Sequence, residues 1–387
     1  MRAALLLLLL LAPAAEDPPA PRLVGPRLGR ERDAALSKFG GDASTEAAVE
    51  AGLDWLARHG RDGAWDADGF PSLCAGKACD GVGKGHHGED APCPFDAAIS
   101  ALATLAFLGH GHAPDPAGDA RSRLVERALA RLDMDADPWS LALATEAFAE
   151  AEALERKGRW KDAALRGADR LLKSRGKDGA FAYLSGFREG SDVPFTAFAV
   201  EALIAARDAG AALPADLPEG VDRFLASLEE KGGKLAYLVD GRQYGYTPTT
   251  NNAHLAAAIR ELLRAGTSGA RHRAHCALVD ANRPKWKISF RETDVPGRGR
   301  MKVQVGNLSM YQWWYGTVAC FQRGGEAWTS WNAALKSALV PHQEKTGCAR
   351  GSWDPVGLYE RAVGGRVFAT ALGVLMLDQP YRHRRLP

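Results

Sequence analysis

Internal repetition constrains this chain more than any other feature. Six times, an aromatic residue or a proline beside Thr, Asp or Ser opens an Ala/Leu-rich run without a charged face. Pro94-Phe95-Asp96 leads to Leu108, Pro138-Trp139-Ser140 to Leu154, and Pro194-Phe195-Thr196 to Ala206. Pro248-Thr249-Thr250-Asn251 leads to Leu263, while Trp313-Trp314-Tyr315 and Phe368-Ala369-Thr370 open the last two runs. Taking Pro94, Pro138, Pro194, Pro248, Trp313 and Phe368 as anchors, the intervals are 44, 56, 54, 65 and 55 residues. Amphipathic runs with charged faces alternate with these, at 47–59, 121–132, 160–173, 220–230 and 331–342, as helices facing solvent on one side do. The run before the fifth apolar segment is weakly marked, by Leu262, an Arg/His-rich stretch and residues 276–279. Gly63-Ala64-Trp65, Gly179-Ala180-Phe181 and Gly351-Ser352-Trp353 follow outer runs. There glycine can leave the helix with positive φ and the aromatic can fold back over the helix end.

Helical hairpins repeated about six times either stack into an open solenoid with polar caps or close into a ring. The last apolar run, 367–377, is too apolar for a solvent-facing cap, so the expected architecture is all-α. It is an alpha/alpha toroid of about six hairpins in one domain, 45–387. Glycine, at 42 residues against roughly 27 for average usage, then marks the turns. Between residues 285 and 305, Trp286, Ile288 and Phe290 alternate with polar residues, as do Val303 and Val305 after a Pro/Gly turn. That pattern predicts a small β-hairpin insertion. With 49 basic against 47 acidic residues the net charge is +2, which argues against a nucleic-acid partner.

Residues 1–15 combine Arg2, an apolar run over 3–12 and the small residues Ala12-Pro13-Ala14. This is the layout of a signal peptide and predicts export to the periplasm or beyond. No later stretch is long and apolar enough to span a membrane. Residues 16–44, rich in Pro, Gly and charge, read as a linker.

These repeats resemble the alpha/alpha-toroid superfamily of squalene–hopene cyclases and protein prenyltransferase β subunits. Gln343 with Gly351 and Trp353 is the nearest match to their Gln-x-Gly-x-Trp repeat, and His59 stands in the glutamine's place before Gly63 and Trp65. The C-terminal part is more similar to the exported "prenyltransferase and squalene oxidase repeat" proteins of planctomycete-like bacteria. That likeness rests on Tyr311-Gln312-Trp313-Trp314-Tyr315-Gly316-Thr317, Trp328-Thr329-Ser330-Trp331-Asn332, Gly351-Ser352-Trp353-Asp354-Pro355 and Gly364-Gly365-Arg366-Val367. The resemblance implies the ring fold and not a reaction.

A class II terpene cyclase needs a strong acid in an Asp-x-Asp-Asp cluster. This chain has Asp133-Met134-Asp135-Ala136-Asp137 instead, better suited to a turn and a helix N-terminus. Protein prenyltransferase zinc ligands are missing from the matching region. Glycosidases use two carboxyls across a sugar, for which Asp96, Asp192 and Asp354 are candidates at inner-helix starts or turns.

The six cysteines fall into two trios, Cys74, Cys79, Cys93 and Cys276, Cys320, Cys348. An even count in an exported chain favours disulfides, and ring closure makes Cys348 a feasible partner for the first trio. Zinc is the competing reading, with Cys74, Cys79, His86 and Cys93 as its ligands.

Ring closure gathers the starts of the inner helices at one mouth. Phe95, Asp96, Trp139, Phe195, Asn251, His254, Trp313, Trp314, Tyr315, Arg366 and Phe368 are the ligand-binding candidates there. Five large residues in succession from Tyr311 cannot all face inward on one helix, so some are expected on a surface or groove. The leading functional expectation is a non-catalytic scaffold for an apolar small molecule or another exported protein. The alternative is an enzyme acting on an isoprenoid or a glycan.

Overall fold

The computed structural model describes residues 22–83, 93–182, 191–238, 249–287, 289–295, 299–305 and 309–387. Helix α1 (Gly29–Lys38) precedes the repeats. Outer helix α2 (Ala43–Arg58) is followed by inner α3 (Asp96–His110), outer α4 (Ala120–Leu129) and inner α5 (Pro138–Glu155). The alternation continues through α6 (Lys161–Lys173), α7 (Val193–Asp208), α8 (Leu217–Ser227), α9 (Thr250–Leu263) and α10 (Ala270–Ala281). Strands β1 (Ser289–Val295) and β2 (Gly299–Val305) come next, then inner α11 (Met310–Arg323) and outer α12 (Gly325–Leu339). Short α13 (Leu358–Val363), inner α14 (Gly365–Leu377) and short α15 (Gln379–Arg382) complete the order.

Burial separates the two layers. Inner α7 buries every residue from Val193 to Ala206, whereas outer α6 buries only Ala164, Gly167, Ala168 and Leu171. The uncharged Ala/Leu runs can be covered on all sides; the charged ones can bury one stripe. Inner helices pack in chain order, α3 on α5, α7, α9, α11 and α14, and α14 packs back on α3. The ring is closed.

One local device recurs around it. In the Gly-x-aromatic turns, Gly63, Gly179 and Gly351 have φ of +85°, +92° and +95°. Trp65 Nε1 then donates to Leu56 O at 2.9 Å and Trp353 Nε1 to Leu339 O at 2.8 Å, covering the ends of the preceding outer helices. A side chain of the following inner helix clasps each turn. Ser100 Oγ accepts from Trp65 N, Thr196 Oγ1 from Phe181 N and Thr370 Oγ1 from Trp353 N. Each turn glycine lies against the next repeat's outer helix: Gly63 on Ala128, Gly179 on Gly220, and Gly351 on Ala51 of α2. The last repeat thus meets the first by the contact that joins neighbours elsewhere. Gln343 completes the seam, donating to Ala48 O at 2.7 Å and Gly351 O at 2.8 Å.

The predicted hairpin is present, with Ser289 opposite Val305 and Val295 opposite Gly299. The linker expectation fails where the segment is described. Residues 29–38 are helical, and Leu23, Val24 and Arg27 are buried in the ring. The signal expected over residues 1–15 lies outside the described residues. Among those described, no helix is long and apolar enough to cross a membrane.

Candidate functional site

Burial and hydrogen bonding sort the sequence candidates into different places. Phe195, Trp313, Trp314 and Tyr315 are fully buried, and Phe368 is nearly so. Phe95 and Trp139 meet at 5.0 Å between ring centroids, Trp139 and Phe198 at 6.0 Å, and Phe198 and Tyr311 at 5.6 Å. Tyr359 of α13 inserts among them, 4.8 Å from Tyr311 and 6.1 Å from Phe368. These aromatics are packing partners of one another. The expectation that part of the run 311–315 lines a surface is corrected, because α11 is covered on both sides. Trp314 faces Phe198 in the ring, while Trp286, before the hairpin, lies 6.3 Å from Trp313 on the other side.

His254 is a core histidine rather than a mouth residue. It is fully buried, donates from Nδ1 to Thr250 O at 2.9 Å, accepts at Nε2 from Gln312 Nε2 at 3.2 Å, and burial lowers its pKa to about 4. Asn251 is exposed. Arg366 is buried and bridges Asp80, Asp354 and Ser352 across the seam.

Charge rather than apolar space occupies the closed base. Arg382 of α15 pairs with Glu146, lies 3.2 Å from Glu150 and 3.6 Å from Glu201, and all four are fully or almost fully buried. Arg27 joins Glu150 at 2.7 Å and donates to Arg382 O at 2.9 Å. Burial raises the pKa of Glu146 well above the ordinary range, with Glu201 adding to it. Burial likewise lifts Glu201 to about 7. Burial also opposes ionisation of Glu150, but Arg27 and Arg382 outweigh it and hold that carboxyl low.

The carboxylates meet elsewhere. Asp96 opens α3, and loop residues Asp66 and Asp68 stand beside it, with one oxygen from each lying within 4.8 Å of the others. Ala67 N donates to Asp96 Oδ1 at 2.8 Å, Cys93 N to Asp68 Oδ2 at 2.8 Å, and Gly69 N to Asp66 Oδ1 at 2.5 Å. Asp96 is half-buried and its pKa is pushed up to about 6, mainly by burial; the Ala67 bond opposes this, and Asp66 and Asp68 add to it. Asp66 and Asp96 line a cavity of about 470 Å³ with Arg61, Arg131 and Asp133. The other sequence candidates do not join them. Asp192 caps α7 by accepting from Phe195 N at 2.7 Å, Asp137 caps α5, and Asp354 pairs with Arg366. Only the sequence position of Asp96 at a helix start pointed here; Asp66 and Asp68 carried no signal beyond an ordinary turn.

No two of the six cysteines stand at disulfide distance, so the disulfide expectation is not shown. Cys74, Cys79 and Cys348 surround His59 Nε2, at 3.5, 3.8 and 3.3 Å from their Sγ atoms. Cys93 is not among them; its thiol donates to Val363 O at 3.1 Å. His86 lies outside the described residues. Burial, then Cys74 and Cys348, push the Cys79 thiol up to about 12. His59 was visible in the sequence only as a departure from the repeat's glutamine.

With this geometry in hand, comparison with solved structures places the fold. The chain is an alpha/alpha toroid. An inactive variant of the alpha-1,6-mannanase of Salegentibacter sp. HEL1_6, in complex with alpha-1,6-mannotetrose, aligns over 88% of this chain and 99% of its own, with TM-score 0.55 and 10% identity. An unsaturated glucuronyl hydrolase specific for heparin aligns over 90% and 97%, with TM-score 0.55 and 13% identity. A type II terpene cyclase from Scytonema aligns over 87% and 97%, with TM-score 0.51 and 12% identity. At these identities the likeness is one of fold. No protein-family model matches the chain, and no curated protein matches it.

Proposed function

We propose that this is an exported toroid hydrolase acting on a glycan at the cavity beside Asp66 and Asp96. By the resemblance of residues 311–317, 328–332, 351–355 and 364–367, its lineage is that of the prenyltransferase and squalene oxidase repeat proteins. The observation that carries the functional reading is Asp96, a half-buried carboxyl with a pKa of about 6 beside two further carboxylates on a cavity of about 470 Å³. A carboxyl that keeps its proton near pH 6 with a second carboxyl beside it is the kind of pair that glycosidases use. Retaining enzymes hold the two groups about 5–5.5 Å apart, inverting enzymes about 6.5–9.5 Å. One oxygen from each carboxyl here lies within 4.8 Å of the others, nearer the former than the latter. In this scheme Asp96 protonates the leaving oxygen and Asp66 attacks the anomeric carbon. Arg61 and Arg131 offer donors to hydroxyl or carboxylate groups of the sugar.

An isoprenoid is disfavoured because it needs an apolar chamber, whereas the described ring centre holds packed aromatics and the Arg382–glutamate layer. The mannanase and the glucuronyl hydrolase support glycans as a chemistry this ring accommodates. Nevertheless, the inactive mannanase lacks two adjacent aspartates, and this sequence contains no Asp-Asp pair, so its acids are its own. A second reading, the non-catalytic scaffold for an apolar ligand or an exported protein, is favoured by one fact. Each of the three carboxylates also accepts a backbone N–H, a role that needs no turnover.

Release of reducing ends from a panel of mannans and acidic glycosaminoglycans separates the two. Asp96→Asn is expected to lower kcat/KM by about 100-fold or more while melting stays near wild type. Since Asp96 serves as the acid, activity falls as pH rises through about 6. A folded wild-type protein that releases nothing from any member of the panel leaves the scaffold reading.

A further inference from the structure

The thiol cluster lies at the seam where the last repeat meets the first. His59 is the residue that ends α2, Cys74 and Cys79 follow in the same loop, and Cys348 precedes Gly351 in the last turn. His59 Nδ1 lies 2.9 Å from Trp55 O. A carbonyl can only accept, so Nδ1 carries the proton and Nε2 presents its lone pair to the three sulfurs. Trp55 also stacks on the imidazole at 4.3 Å between centroids, which fixes its plane. Cys79 N donates to Cys74 Sγ at 3.2 Å, which orients that sulfur from outside the cluster.

We infer that His59, Cys74, Cys79 and Cys348 form a structural zinc site that pins the ring shut. Three soft sulfurs and one imidazole are the donor set of tetrahedral zinc, with Zn–S about 2.3 Å and Zn–N about 2.0–2.1 Å. At a tetrahedral angle those lengths put nitrogen and sulfur about 3.5–3.6 Å apart; the three separations here are 3.5, 3.8 and 3.3 Å. Four protein ligands leave no open position, so the role is structural and not hydrolytic. His59 and Cys79 are buried, while Cys74 and Cys348 are half-buried, which gives an ion a way in. The site differs from the sequence-based set by two residues. Cys348 comes from the far end of the chain, and His59 replaces the repeat's glutamine. At the other end of the seam, Gln343 ties the last turn to Ala48 and Gly351 by hydrogen bonds alone. In the first repeat a metal bond takes that function. His59 also lines the cavity beside Asp66, so zinc holds the loop that carries this acid.

Elemental analysis of the full chain purified from zinc-supplemented medium tests the site without reference to turnover. One zinc per chain is expected. The Cys348→Ser protein should hold well below one, with a lower melting temperature, and Cys93→Ser should keep the full complement. Wild-type protein stripped with a chelator and reloaded with Co(II) should show intense visible d–d bands and sulfur-to-cobalt charge transfer of a tetrahedral thiolate site. This readout survives if the serine variant does not fold. Wild-type protein without zinc and without those cobalt bands overturns the site. So does non-reducing mass spectrometry showing Cys74 or Cys348 in a disulfide, or zinc lost equally from Cys93→Ser. Zinc present without glycan hydrolysis sinks only the hydrolase; hydrolysis by metal-free protein sinks only the zinc site.

Discussion

Gly351 adopts a φ of +95°, and a Cβ on it would stand 2.0 Å from the Ala51 carbonyl oxygen. Gly347, one residue before Cys348 and four before Gly351, has a φ of +65° but open space around it. The two sites separate backbone conformation from close approach. Gly347→Ala is expected to cost about 1 kcal/mol, the left-handed penalty alone, whereas Gly351→Ala should cost about 3 kcal/mol or more because the seam must part. Urea denaturation of the two variants measures the difference. The glycine–aromatic turns were readable in the sequence because one residue type sets each of their features. The run Tyr311 to Tyr315 was not, since helical periodicity shows which side chains diverge but not how many neighbours cover the helix. Trp286, from a separate segment, supplied the cover.

At the scale of elements, the end of α3 carries a pH-dependent clasp. His110 lies 3.0 Å from Glu50, 3.3 Å from Asp378 and 3.0 Å from the Tyr381 hydroxyl, with Arg32 and His112 also beside it. Burial opposes its charge, but Asp378 and Glu50 outweigh burial and raise its pKa to about 9 from 6.5. The folded protein therefore retains a proton that the unfolded chain gives up. Its contribution is complete below about pH 6.5 and lost as pH rises through about 9. His110→Gln should remove about 1–2 kcal/mol at pH 6 and progressively less toward pH 9, as read from denaturation midpoints across that range. By sequence alone His110 and His112, on either side of Gly111 after the first apolar run, read as exposed loop histidines. For α10 the difficulty was similar, because its buried face is built partly from His272, His275 and Cys276. Those residues suppress the hydrophobic periodicity that marked the other outer helices. His275 is accommodated by Arg260 at 2.7 Å, a partner on the neighbouring inner helix.

For the whole molecule, the two ends of the described chain stopper the ring at its base. Leu23 accepts from Arg384 N and Gly25 donates to Arg382 O, so both strands of this plug hold each other. Arg382 shares with Arg27 the charge that keeps Glu150 ionised, and it is the partner of Glu146 and Glu201. Replacing it with Ala leaves buried carboxylates without a counter-charge and should cost about 3–5 kcal/mol, measured by chemical denaturation at pH 7. A smaller loss at pH 5 is expected, since Glu201, with a pKa of about 7, is then protonated. The sequence reading left residues 16–44 as a linker because Pro, Gly and charge dominate them. Arg27 looks like any solvated arginine until the glutamates of another repeat surround it.

By itself the sequence determined the class of architecture: six uncharged helices alternating with amphipathic ones, turns set by glycine, a hairpin set by alternation, and closure set by an apolar final run. Each follows from local periodicity or from one residue's backbone freedom. Only the tertiary structure decided which residues share a site. His59 and Cys348 meet because the ring closes, Asp66 meets Asp96 because a loop folds over a helix start, and the mouth aromatics became core because α13 inserts Tyr359 among them. Those are encounters between residues far apart in the chain, and their chemistry depends on distance and burial that no local pattern encodes.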